Sequence, residues 1–260
     1  MNDRNVLNKM KRSIVNAAVN AGEGHIASAF SILDILWILY DRILNLSSIR
    51  SRSLERERFI LSKGHASMAL YAVLAEKGFI SLSELENNFC KFSGILGGHP
   101  DANKIPGIEA STGSLGHGLP IAVGIALGYK IKSIHQRVFA LVGDGECNEG
   151  TIWESALLAS QHDLNNLCCI VDYNHSTDRA LSLNNLASKF ESFGWATCVI
   201  NGHEHQEILN ALKKTDSLKP IAIIANTIKG KGCQRMENEP AWHHRAPNKI
   251  ELSEILIELA

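Results

Sequence analysis

Net charge is the first thing this chain lacks. Across 260 residues, 26 lysines and arginines nearly cancel 27 aspartates and glutamates, leaving a formal charge of −1. That argues against a partner held by long-range attraction, so neither nucleic acid nor a membrane surface is expected. No apolar run approaches the roughly 18 residues that a membrane span needs. The opening "MNDRNVLNKMKRSIV" is polar and has no apolar core of the kind a secretory leader carries. Six cysteines are present, but none forms a C-x-x-C pair, so they read as reduced, mostly buried thiols. Internal repeats and low-complexity segments are also missing. These absences make a cytoplasmic location the expectation.

What is present is an ordinary globular composition, 45% hydrophobic and 20% charged, in a chain long enough for a proper core. Helical spacing runs from Val6 to Ala21, and "SILDILWILYDRIL" (Ser31 to Leu44) is apolar on most faces, as a buried helix is. "RFILSKGHAS" reads as a short strand running into a glycine turn, with a helix from Ala66 to Lys77, and "SLSELENNF" as a short helix capped by its serine. From "LPIAVGIALGYKI" onward, helices alternate with apolar strands: "RVFALVG", "NLCCIVDYN", "WATCVIN" and "KPIAIIANTIKG". Such alternation predicts an α/β fold, a doubly wound and mostly parallel sheet with helices on both faces. Between the two halves, residues 93–118 are rich in Gly, Pro, Ser and His, too long a loop to be idle and without the look of a linker. The expectation is one domain over residues 1–260.

Chemistry concentrates at strand ends. "ALVGDGECNEG" places Asp144 between Gly143 and Gly145 just after an apolar strand. In isolation a Gly-Asp-Gly is more often an ordinary turn. In an open α/β sheet, however, ligands bind outside the carboxyl ends of strands, and flanking glycines let the backbone approach them closely. The next strand ends in "DYN", about thirty residues later, one βαβ unit away. If the two strands are neighbours, Asn174 lies beside Asp144. A carboxylate, an amide oxygen and a backbone carbonyl are hard oxygen ligands suited to Mg²⁺ or Ca²⁺, with phosphate oxygens completing the shell. A helix starting near Glu149 would aim its amides at the same anion.

Gly-Asp-Gly followed by such an asparagine is the thiamine-diphosphate signature. Around it stand, in order, "GEGH", "RFILSKGHAS", "GGHPD", "EASTGSLGHGL", "VGDGECNEGTIWE", "VDYN", "IKGKG" and "MENEPAWHHRAPN". With these motifs the chain resembles the N-terminal, pyrophosphate-binding part of a transketolase, and especially the separately encoded N-terminal subunits of split transketolases. The resemblance implies thiamine diphosphate with Mg²⁺, for which Ca²⁺ or Mn²⁺ can substitute, and metal ligation by Asp144, Asn174 and the carbonyl of Ser176. It puts His65, Gly143, Gly145 and His243 at the diphosphate, and the loop Gly113, Ser114, Leu115 and Gly116 around the cofactor. His25, His99 and His243 would act on substrate at the reacting carbon. Glu149 and Glu154 resemble glutamates that couple two cofactor sites across a dimer interface. Ketol transfer between a ketose and an aldose, free or phosphorylated, needs several proton movements near neutral pH, which suits imidazoles gathered in one cleft. The family's aminopyrimidine-binding and C-terminal domains are absent, so the resemblance implies a complementing C-terminal subunit, an α2β2 assembly, and no activity from this chain alone. Two other readings stand beside it. One is a half-subunit of a different thiamine-diphosphate enzyme, such as a 2-oxoacid decarboxylating or deoxyxylulose-phosphate-type one. The other is a non-catalytic assembly subunit.

Several residues depart from the pattern or carry bland defaults. "GHIAS" replaces GHPGS after His25, and "HSTDRAL" lacks the glycine that relatives have after the asparagine, so Arg179 could recognise a different anion and the substrate a specialised sugar. His117 sits where many transketolases have glutamine and could be catalytic or merely pack its loop. Lys229 could touch phosphate or lie in a solvated turn. His162 and His205 read as solvated helix residues, and His135, His175, His203 and His244 as surface or satisfied core positions.

Overall fold

The protein is described here by a computed structural model, which defines residues 3–92, 94–178, 180–216 and 218–260. Arg179 lies outside them. In chain order the elements are α1 (Asp3–Ala21), α2 (Ile26–Arg42), α3 (Leu46–Arg50), β1 (Arg58–Leu61), α4 (Ser67–Glu76), α5 (Leu82–Asn88), α6 (Gly118–Ile131) and β2 (Val138–Gly143). They continue with α7 (Gly150–Gln161), β3 (Leu167–Tyr173), α8 (Leu186–Ser192), β4 (Ala196–Asn201), α9 (His205–Lys213), β5 (Ile221–Asn226) and α10 (Lys249–Glu258). The strands form one parallel sheet in the order β1-β2-β3-β5-β4.

The sheet separates two cores, and the two-residue period of a strand sorts side chains between them. Phe139, Leu141, Cys168 and Ile170 face one side, packed with α1, α2, α4 and α9. Val138, Ala140, Val142, Cys169 and Val171 face the other, with Leu119 and Val123 of α6, Ile152 of α7 and Phe190 of α8. This is the expected doubly wound α/β arrangement, and it explains why the strand segments are apolar without alternation. All six cysteines are unpaired thiols, four of them buried.

Helix α2 departs from its expected bounds. It begins at Ile26, directly after His25, so Ile26, Ala27 and Ser28 of "GHIAS" lie in its first turn. Every residue from Ile26 to Tyr40 is buried. Three polar residues sit inside it at intervals of three, Ser28, Ser31 and Asp34, and so share one face. Two helices add to the sequence reading. Asn45 caps α3, and Asn248 with Glu251 forms a capping box that starts α10. Residues 94–117 of the long glycine-rich segment have no regular structure, and Leu96 and Ile105 anchor them in the core. No helix among the described residues is long and apolar enough to cross a membrane.

Candidate active site

Four strand ends meet at the carboxyl edge of the sheet. β1 runs into Ser62 and Lys63, and a single 3₁₀ turn (Gly64–Ala66) then presents His65. β2 delivers Asp144, β3 delivers Asp172 and Asn174, and β5 delivers Thr227 and Lys229. In the β2–β3 register Gly143 faces Asp172, and the Asp144 N–H donates to the Asp172 carbonyl at 3.1 Å. The expected neighbourhood of Asp144 and Asn174 is therefore real.

Asp144, Gly143, Gly145, Asn174 and Ser176 line one cavity of about 290 Å³ with His65, Leu115 and His243. Asp144 Oδ1 accepts from the Gly145 N–H at 2.8 Å, whereas its Oδ2 is buried with no hydrogen-bond partner. Burial, then the charge of nearby Asp172, holds the Asp144 carboxyl above its ordinary value. A buried carboxylate oxygen left unbonded is costly unless something positive meets it. Asn174 points its amide nitrogen at Asp172 Oδ2 (2.9 Å), and its oxygen accepts from the N–H (3.1 Å) and the hydroxyl of Ser176. No group of three His, Cys, Asp or Glu side chains capable of holding a metal exists among the described residues. The donor set is one carboxylate with amide and carbonyl oxygens, which fits a hard cation and not zinc.

The loop from Gly113 to Gly116 closes the cavity from one side. A Cβ on Gly64 would stand 2.9 Å from the backbone of Thr112 and Gly113, so only glycine lets the two turns touch. Gly116 has φ +79, and a Cβ there would meet Thr151 Oγ1 at 2.5 Å. Glu146 pins the arrangement from beneath. Its buried carboxylate accepts from Ser62 Oγ (2.6 Å), the Gly116 N–H (2.8 Å) and the Gly143 N–H (2.9 Å), joining three motifs at one point. The turn Gly145–Asn148 is a short 3₁₀ helix, and α7 begins at Gly150 with Glu149 at its N-cap, where the sequence placed the start of the helix.

Histidines form the mouth. His25 stacks on His244 (4.3 Å between ring centres) and meets His65 at 5.1 Å and His243 at 5.4 Å. Burial, reinforced by neighbouring histidines, lowers His25 to about 3; burial, with the charge of Lys63, lowers His65 to about 2. His243 is lowered as well, by burial and by Lys229, whose Nζ lies 2.9 Å from its Nδ1. These rings are neutral at neutral pH and can both donate and accept. His99 is exposed and packs its ring against Gly113, 3.1 Å from where a Cβ would lie.

Not every expected residue is in the cavity. Glu149 and Glu154 are exposed on the outer side of α7, outside the cavity lining. His117 is exposed and bonds Leu115 O and Ser114 Oγ within its own loop, without capping α6. Lys229 is buried in the cleft, so the solvated-turn alternative fails. His205 is not a solvated residue either. Its Nδ1 faces Asp3 (3.2 Å) and its Nε2 faces Asp34 (2.9 Å), and the Asp34 hydrogen bond raises its pKa. His203 accepts at Nε2 from the Ile228 N–H, so its proton is on Nδ1 and points at Asp34. The sequence reading missed Lys63, Glu146 and Asp172, though each stands within two residues of a motif glycine or asparagine.

An unbonded carboxylate oxygen, a glycine cradle and neutral imidazoles thus meet at the carboxyl edge of an α/β sheet, the place where such sheets bind ligands. The family model described as "Transketolase, thiamine diphosphate binding domain" matches residues 2–256. The chain is 36% identical over 259 residues to one of the subunits of the apulose-4-phosphate transketolase of Phocaeicola vulgatus, covering 97% of this chain and 92% of that one. It is 37% identical over 230 residues to a 6-deoxy-6-sulfo-D-fructose transketolase subunit of a Clostridium species, covering 86% and 83%. Among solved structures, transketolase from Campylobacter jejuni superposes with a TM-score of 0.87 at 30% identity, over 97% of this chain but 42% of that one. The chain belongs to the transketolase family, as its N-terminal, thiamine-diphosphate-binding part. Its enzyme class is transketolase, and the two curated relatives above are named as subunits of theirs.

Proposed function

We propose that the chain is the thiamine-diphosphate- and Mg²⁺-binding subunit of a cytoplasmic enzyme that moves a two-carbon ketol unit from a ketose to an aldose, as sugars or sugar phosphates. The observation that carries this reading is the buried, unbonded Oδ2 of Asp144, set beside Asn174 and Ser176 under a glycine loop. Asp144, the Asn174 amide oxygen and the Ser176 carbonyl would hold the cation, with Ca²⁺ or Mn²⁺ as substitutes. When bound, thiamine diphosphate supplies the reactive carbon and the electron sink for ketol transfer. The loop Gly113–Gly116 would hold the cofactor by its backbone, and His65 and His243 would meet the diphosphate. His25 and His99 would receive and return protons on the hydroxyls and carbonyl of the sugar, a role open to a neutral imidazole. The donor would be a specialised ketose, of the kind named for the two relatives from divided enzymes.

Catalysis would require a complementing C-terminal subunit, and two copies of each would assemble as α2β2. The outer face of α6 and α7 supports this assembly. Ile121 is 39% exposed, Leu157 57% and Leu158 45%, while Gly124 and Gly128 border open space. An apolar strip of this kind, with Glu154 beside it, is what a second subunit would cover. The decisive experiment mixes the chain with a candidate partner, Mg²⁺ and thiamine diphosphate and assays ketol transfer. Activity should need both chains, and activity from this chain alone would end the split-subunit reading. Cofactor binding undiminished by Asp144→Ala would end the metal assignment.

A further inference from the structure

Beneath the proposed cation position lies a second carboxylate, Asp172, which is fully buried and does not line the cavity. It receives four donors. Lys63 Nζ (2.5 Å), Ser31 Oγ (2.8 Å) and the Asn174 amide nitrogen (2.9 Å) converge on Oδ2, and the Thr227 hydroxyl reaches Oδ1. Those donors come from α2, the end of β1, the end of β3 and the end of β5. An ionised carboxylate can only accept, so each partner must turn a hydrogen toward it. For Asn174 this removes an ambiguity. An asparagine amide can present either end to a neighbour, but here the NH₂ end is held on Asp172, and the oxygen end is left on the cavity side with Ser176. Held by these donors and fully buried, Asp172 is turned away from the cavity where a cation would sit.

We infer that Asp172, locked by Lys63, is a positioning residue that sets the Asn174 side chain with its oxygen, not its nitrogen, toward the cation. The inference rests on the metal site proposed above. Lys63 keeps the buried carboxylate from standing as an uncompensated charge, and Ser31 and Thr227 fix where it sits. Without Asp172 only the Ser176 donors hold the amide, and a turned amide offers hydrogens where the cation needs a lone pair.

The test measures Mn²⁺ binding by electron paramagnetic resonance on the full chain with thiamine diphosphate. It compares wild type, Asp172→Asn, the double variant Asp172→Asn/Lys63→Met, and Asp144→Ala. The double variant leaves no unpaired buried charge, so it guards against simple unfolding. Lys63 also borders the cavity, which is why Mn²⁺ affinity is the readout and not diphosphate affinity. Residues that orient metal ligands typically account for about 10–100-fold in affinity, and a loss of that size is expected in both Asp172 variants. Unchanged Mn²⁺ affinity in a folded Asp172 variant, with only the melting temperature lowered, would overturn the inference and leave a structural role. If Asp144→Ala also keeps full affinity, or wild type binds no Mn²⁺, the metal reading itself falls. A second measurement needs no variant. In wild type the Asn174 side-chain NH₂ protons should exchange slowly with water, with or without Mg²⁺, and fast exchange would overturn the assignment.

Discussion

Replacing Glu146 with glutamine changes one atom in a place where both carboxylate oxygens hold donors. The carboxylate takes Ser62 Oγ and the Gly116 N–H on Oε1 and the Gly143 N–H on Oε2. Burial lifts its pKa, and those three hydrogen bonds work against that rise. Glutamine must aim its NH₂ at one side. The less costly choice faces Gly143, which leaves one buried backbone N–H without an acceptor, at about 1–3 kcal/mol. Glu146→Ala leaves both backbone N–H groups unbonded, about 2–6 kcal/mol by the same reckoning. Total stability of a domain is about 5–15 kcal/mol, so the glutamine variant should fold and the alanine variant should be marginal. Urea unfolding at pH 7, followed by tryptophan fluorescence, orders the three proteins. Thiamine-diphosphate affinity should fall in the same order, because Glu146 ties the Gly116 loop to the Asp144 turn. A glutamine variant within about 0.5 kcal/mol of wild type, or an alanine variant no worse than glutamine, would refute the reasoning.

Other outcomes follow from the same geometry. Gly118→Ala would set a methyl 2.5 Å from the Ser62 Cα, and a loss of about 3 kcal/mol in urea unfolding is expected, the upper end of the overpacking range. Because His205 is raised above its usual 6.5, its contribution is full below that value and is lost as pH rises through the folded pKa, so His205→Gln should flatten the alkaline side of a stability–pH profile. Asp34 behaves oppositely. Burial pushes it up, but hydrogen bonds from His203 and His205 bring it to about 2, so its contribution holds above the unfolded value near 3.8 and fades as pH falls toward 2. Nuclear magnetic resonance titration should find no charging of His25 or His65 between pH 8 and about pH 5, given folded values of about 3 and 2. Leu157→Glu should weaken association of the chain with itself, read by sedimentation velocity, while leaving the monomer's unfolding free energy within about 0.5 kcal/mol of wild type.

Much of this was legible in the sequence, because period and motif carry it. The apolar strands and their alternation with helices follow from spacing, and Asp144 beside Asn174 follows once β2 and β3 are neighbours. What stayed hidden depends on contacts between distant segments. Nothing in "SKGHAS" says that Lys63 turns inward to Asp172, 109 residues away. Glu146 looks like one more acid in an acidic turn until the glycine loop folds over it. His205 reads as a surface residue because both of its acidic partners come from other helices, Asp3 of α1 and Asp34 of α2. The start of α2 was misjudged for a local reason: His25 caps it without a side-chain hydrogen bond, so no Ser, Thr, Asp or Asn announces the helix.

Helix α2 links places that would otherwise seem independent. Its entry follows His25, its first turn places Ser28 in the cavity wall, Ser31 holds Asp172, and Asp34 joins His203 and His205. A rod enclosed on every side cannot bend to suit one of these without disturbing the others. Change is tolerated most easily at its open end, where Glu23, His25 and His244 meet solvent. If the site takes the ketose proposed above, those three positions are the ones to vary in altering its preference, with the rod left alone.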